Sequence, residues 1–179
     1  MRDRLKDNGT MIGSLLICVL VLSFAAVLAG EPFAPKITPP EKIQNREMWL
    51  NMIKQWEVPD QESVGVPAYP GAYIVACSGA LSMEANGVKS TTWPVVTLAT
   101  EDDQDKVTAF YKKELDDWSY KNSFDMFDVF WTGPDEFDNL DIRQSSVISN
   151  VTILGATAGQ TDFMPKAKTA IIIVYKPKE

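Results

Sequence analysis

The chain has 179 residues, 17 basic against 24 acidic side chains, a formal charge of −7, two cysteines and no histidine. Without histidine there is no imidazole general base, no usual Ser or Cys triad and no His-ligated zinc. The acidic balance repels phosphate backbones and disfavours a nucleic-acid partner. The length suits a targeting segment plus one domain of about 150 residues, enough to bury a core without staples.

Residues 1–30 read as an address label. Arg2, Arg4 and Lys6 precede an uncharged apolar run over 11–29. Val27 and Ala29 stand at the small-residue positions read by a signal peptidase, with cleavage before Gly30. The run also has close to the ~20 residues that span a bilayer. The segment is therefore a cleaved signal peptide or a retained membrane anchor, and either places the rest outside the inner membrane: in the periplasm or tethered to the membrane's outer face. Cys18 lies inside the run behind the bulky Ile17, which does not fit a lipoprotein signal. Beyond residue 30 the chain keeps 14 basic and 22 acidic residues, a charge of −8, and one cysteine, Cys77. No intramolecular disulfide is possible there.

Residues 31–40 hold four prolines and read as an extended spacer ahead of a single domain over 41–179. Pro40 suits the first turn of a helix over 41–56, with Ile43, Leu50 and Ile53 on its apolar stripe. Met48, Trp49, Met52 and Trp56 widen that stripe. They either pack on the domain or form a partner-binding face, since Met and aromatic side chains adapt to other surfaces. Pro70-Gly71 signals a turn into a strand over 73–78. Residues 79–92 read as a polar connection carrying the hairpin-type turn signal Asn86-Gly87. A second strand follows over 93–100, its start set off by Pro94.

Residues 100–118 give the strongest helix pattern. Val107, Phe110, Tyr111, Leu115 and Trp118 recur at helical spacing. Thr100 or Asp102 is placed to cap its first turn. Lys112, Lys113, Asp116 and Asp117 form i,i+4 pairs on its outer face. Strands are expected over 124–131, 145–154 and 169–175. Residues 155–168 form a long connection of the kind that is often functional or mobile. The order predicts an α+β domain: a mainly antiparallel sheet of about five strands, one principal helix packed on it, and an N-terminal helix.

Several groups are candidates for chemistry. Asp135, Glu136, Asp138 and Asp141 place four carboxylates in one loop and could hold calcium, although their spacing differs from an EF-hand. Cys77 sits in a strand with no basic neighbour and reads as an inert thiol. Asn150-Val151-Thr152 matches a glycosylation acceptor, but inside a strand. Trp93, Trp118, Phe127, Phe130 and Trp131 could cluster around the sheet as core or line an apolar pocket. No phosphate loop, dinucleotide fingerprint or nucleophile elbow is present.

The sequence Tyr69-Pro70-Gly71-Ala72, followed by Asp103, Val107, Phe110, Tyr111, Leu115 and Trp118, resembles a loose class of small exported bacterial proteins of unknown function. These share a Y-P-G-A strand entry and a D-x-x-x-V-x-x-F-Y-x-x-x-L-x-x-W helix. The resemblance runs over about 66–175 and implies a fold and a compartment, with no catalytic residues. The expected function is non-enzymatic binding of a protein or envelope component. The alternatives are a small-ligand or calcium-binding module and, third, a hydrolase working without histidine.

Overall fold

The computed structural model describes Phe33 and residues 36–85, 88–123, 126–133 and 147–177. The chain divides into two units, Met1–Glu31 and Pro32–Glu179, and every described residue lies in the second. Its elements are α1 (Arg46–Ile53), α2 (Gln61–Val64), β1 (Tyr73–Ser78), β2 (Leu81–Ala85), β3 (Val88–Thr92), β4 (Val95–Thr100), α3 (Gln104–Glu114), β5 (Ser119–Ser123), β6 (Phe127–Trp131), β7 (Asn150–Gly155), α4 (Ala158–Phe163) and β8 (Thr169–Val174). The fold is α+β.

Six strands form one sheet in the order β1-β4-β8-β7-β6-β5, and every neighbouring pair is antiparallel. The register makes two rows on the same face of the sheet. One runs Ile74, Leu98, Ile171, Ile153, Asp128, Asn122; the other runs Cys77, Val96, Ile173, Val151, Phe130, Tyr120. Residues two apart on a strand share a face, so both rows meet one covering layer. Helix α3 supplies that layer with Val107, Tyr111 and Leu115, which bury with the apolar members of the rows. Phe110 and Trp118 pack at the margin of the same core. The helical stripe read from the sequence is thus the core contact.

The start of α3 differs from expectation. Its N-cap is Asp103, and no side chain caps the first turn. The hydroxyl of Thr100 accepts the Asp102 N–H at 3.3 Å, and the Asp103 carboxylate pairs with Lys168 at 3.0 Å. The hydroxyl thus serves the turn before α3 and the carboxylate the junction with β8, and neither caps the helix. On the outer face, Lys112 lies 4.1 Å from the centre of the Tyr120 ring and Lys113 reaches Glu114, in place of the expected Lys–Asp pairs.

The opposite face is covered at one end by α1 and α4. Phe163 is fully buried against Val75, Ala99 and Met164, with Trp49 and Ile53 of α1 beside it. The rings of Trp49 and Phe163 meet edge to face at 5.2 Å. The connection over 155–168 therefore carries a short helix, opened by a capping box between Thr157 and Gln160, with an aromatic anchor at its end.

Helix α1 is shorter than the 41–56 expected, because Asn45 enters it at φ 56 and the chain leaves the helix after Ile53. Residues 79–92, expected as a connection, pair as the separate antiparallel ribbon β2–β3, with Asn86 and Gly87 between the strands in sequence. β5 lies in the stretch 119–123, whose polar sequence carries no strand periodicity. The aromatic residues do not form one cluster. Phe130 and Trp118 belong to the α3 side, while alternation puts Phe127 and Trp131 on the other face.

Candidate functional site

Two cavities adjoin across Tyr73, at the β1 edge of the sheet. One, of about 300 Å³, is lined by Pro40 and Lys42 from the N-terminal segment and by Pro165 and Lys166 from the turn after α4. The second, of about 240 Å³, lies between Lys36 and the Pro70-Gly71 turn. Tyr73, Glu101 and Met164 line both. Four stretches of chain distant in sequence thus converge on one aromatic ring.

Local structure explains the convergence. Lys36 forms a parallel bridge to Tyr73, and its carbonyl accepts the Ile74 N–H at 3.0 Å. This segment covers part of the outer edge of β1, and Lys36 Nζ lies 5.0 Å from the centre of the Tyr73 ring. Gly71, at φ 77, makes the turn that delivers Tyr73, a backbone region disfavoured for residues with a side chain. The 100–103 stretch is clamped to β8. Lys168 N–H donates to the Thr100 carbonyl at 2.9 Å, and the Thr169 hydroxyl donates to the Asp102 carbonyl at 2.7 Å. Glu101 is held between these clamps with its side chain exposed. Met164, 5% exposed, forms an apolar floor directly after the Phe163 anchor.

The two acids of this region differ in state. Asp102 accepts from Lys106 at 2.9 Å and from the Tyr69 hydroxyl at 2.8 Å. These contacts, with Lys106 the stronger, hold its carboxyl below the usual aspartate range. Burial, reinforced by Asp102, pushes Tyr69 up to about 12. Glu101 makes no ion pair among the described residues, and neither do Lys42 and Lys166. The site thus offers uncommitted charge of both signs around an aromatic and methionine floor. It contains neither a thiol nor a hydroxyl–base pair poised for nucleophilic attack among its lining residues.

A second polar cluster, which sequence reasoning missed, sits at the other edge. Asp128 is 4% exposed. Each of its oxygens accepts two hydrogen bonds: Tyr120 Oη at 2.6 Å and Asn122 Nδ2 at 3.1 Å on one, Thr108 Oγ1 at 2.7 Å and Gln104 Nε2 at 3.1 Å on the other. Burial works against its ionisation, but the four donors outweigh it and hold the carboxyl below its ordinary range. Burial and the bond to Asp128 push Tyr120 up to about 12. A cavity of about 290 Å³ opens beside this group. Four donors saturate the carboxylate, so the cluster joins α3 to the β5–β6 edge rather than offering an open acceptor. The available signal was an aspartate two residues before Phe130, on the parity of the apolar face.

The residues singled out from the sequence are dispersed. Trp49 packs under α4, and Trp56 packs at the margin of the main core. Met48 and Met52 stay on the surface, 49% and 40% exposed. The four therefore do not form one face. Asp135, Glu136, Asp138 and Asp141, and the apolar run 11–29, lie outside the described residues. Among the described residues no three acidic, Cys or His side chains group as a metal site, and no helix is long and apolar enough to cross a membrane. Asn150 is 5% exposed and its amide donates to the Ile148 carbonyl at 2.9 Å, so a folded chain does not present it for glycosylation.

Cys77 is half-buried, and its thiol donates to the Glu57 carbonyl at 3.3 Å. Burial and then the Glu57 charge push the thiol up. With Cys18 replaced by serine, native protein at pH 7.5 is expected to react with iodoacetamide about tenfold or more slowly than urea-unfolded protein, since the thiolate is the reacting form. Equal rates would show that Cys77 is an open thiol.

Comparison with family models, with curated proteins and with solved structures finds no match for this chain.

Proposed function

We propose that this chain is an exported, non-enzymatic binding domain that engages an envelope component through the site around Tyr73. The observation that carries the reading is the pair of adjoining cavities there, assembled from four separate stretches of chain and lined by Lys42, Lys166 and Glu101, which make no ion pair among the described residues, with Lys36 over the Tyr73 ring. Ligand sites are concave and combine an apolar floor with a few convergent polar groups. The apolar, basic-flanked N-terminal sequence supports the envelope as the place of action. Part of the lining, Lys36 and Pro40, comes from the proline-rich spacer. The same concavity also favours the small-ligand reading as the alternative.

Photo-crosslinking in intact cells tests the proposal. A photoreactive side chain at position 166 is expected to give a defined adduct with an envelope component. One at position 113, on the outer face of α3, is expected to give none. Equal labelling from both positions, or no adduct from 166, would overturn the assignment.

A further inference from the structure

We infer that the site around Tyr73 takes a phosphate group, the headgroup of an anionic lipid being its principal source; the inference rests on the binding reading above and names its ligand class. The argument begins with charge. Beyond residue 30 the chain carries −8, yet three lysines, Lys36, Lys42 and Lys166, line these two adjoining cavities. Of the two acids there, Asp102 is already engaged by Lys106 and Tyr69. Three cations against one open carboxylate make a local reversal of the protein's sign. Like-charged side chains in excess over their counter-charge repel one another, and an incoming anion relieves that repulsion.

The geometry narrows the anion. The cations of the larger cavity come from two separate segments: Lys42 from the N-terminal segment and Lys166 from the turn after α4. Lysine ammoniums act as mobile point charges and suit a phosphate, whose charge is spread over several oxygens. A planar carboxylate is better matched by the fork of an arginine. Tyr73 and Met164 provide an apolar floor for the carbon skeleton next to the phosphate. Glu101, on the same lining, can accept a hydrogen bond from a headgroup hydroxyl and disfavours polyanions. A cavity of about 300 Å³ has room for such a headgroup.

Position in the chain favours a lipid source. Lys36 and Lys42 follow the apolar run 11–29 by 7 and 13 residues. At up to about 3.5 Å per residue, a retained anchor would keep both within reach of the membrane surface. Each basic residue near an anionic surface adds to its attraction.

The test uses the full chain in neutral detergent micelles and reads the backbone amide signals of Tyr73, Glu101 and Lys166 by NMR. Phosphatidylglycerol is added at rising fractions to the micelles, with phosphatidylcholine as the control, and glycerol phosphate is titrated separately in solution. Saturating shifts with phosphatidylglycerol are expected, weakening with added salt. They should weaken about tenfold or more in a Lys42→Gln/Lys166→Gln double variant whose remaining amide spectrum is unchanged. Shifts with micellar phosphatidylglycerol but not glycerol phosphate identify the lipid; equal response to both keeps the phosphate and reassigns its source to a soluble ester. No response to either, or a response the double variant retains, overturns the inference. If that happens while position 166 still crosslinks specifically, the ligand class falls and the binding reading stands.

Discussion

Replacing Asp128 with alanine is expected to destabilise the domain by about 3 kcal/mol, because the buried Thr108 hydroxyl, the half-buried Gln104 amide and the donors of the more exposed Tyr120 and Asn122 lose their shared acceptor together. For a domain of this size that corresponds to a fall in melting temperature of roughly 10 °C. Asn122→Ala, which removes one donor and leaves the carboxylate three others, should cost about 1 kcal/mol. The pH dependence follows from the direction of the shift. The folded carboxyl titrates below its ordinary range, so the folded state favours the ionised form. Its contribution is fully present above the unfolded aspartate value of about 3.9 and is lost as pH falls through the lower folded value. Urea melts between pH 6 and pH 2 should therefore show a steeper acid loss in the wild type than in Asp128→Asn. Parallel acid profiles for the two proteins would show that the cluster does not hold a charge.

Phe163→Ala is the second large effect. The ring is fully buried between Val75, Ala99 and the edge of Trp49, and its removal leaves a cavity that a one-turn-and-a-half helix cannot close. A loss of about 3–4 kcal/mol is expected in urea unfolding. The local consequence is more telling. Phe163 joins α4 to α1, and Met164, Pro165 and Lys166 follow it directly into the larger cavity. Hydrogen exchange of the α1 amides should accelerate in the variant even under conditions where the central strands stay protected. Global destabilisation below about 1 kcal/mol, with α1 exchange unchanged, would show that the two helices are held by other contacts.

The elements legible in the sequence are those with one dominant period. Val107, Tyr111 and Leu115 announced α3 because they bury one stripe at helical spacing, and the structure puts all three in the core. β1, β4, β6, β7 and β8 were legible from apolar, β-branched runs. β5 was not, because SYKNS is polar and is paired through Phe127–Trp131, not through its own apolar side chains. α4 was hidden for a similar reason: six residues give too little periodicity, and Phe163 alone carries the burial. β2 and β3 left only their Asn86-Gly87 turn as a trace.

The site around Tyr73 was less legible still. Its residues come from the spacer, the turn before β1, the turn before α3 and the end of α4, and no local pattern links them. Asp128 could have been noticed as a charge on a buried parity, but its four donors come from two elements that only the tertiary fold brings together. Trp49 and Trp56, read with Met48 and Met52 as one stripe, separate because α1 ends at Ile53 and the chain turns away before Trp56.

The sheet order has a consequence for how this protein is made. β8, the last of the described strands in sequence, lies between β4 and β7 and is hydrogen-bonded to both. Until residues 169–174 have left the ribosome, β1–β4 and β5–β6–β7 are two separate half-sheets with no strand between them. Both rows of the α3-facing core pass through Ile171 and Ile173, so neither half can complete its hydrophobic contacts beforehand. In the exported reading proposed above, this ordering keeps the sheet unfinished, and the polypeptide free to be translocated, until β8 is delivered.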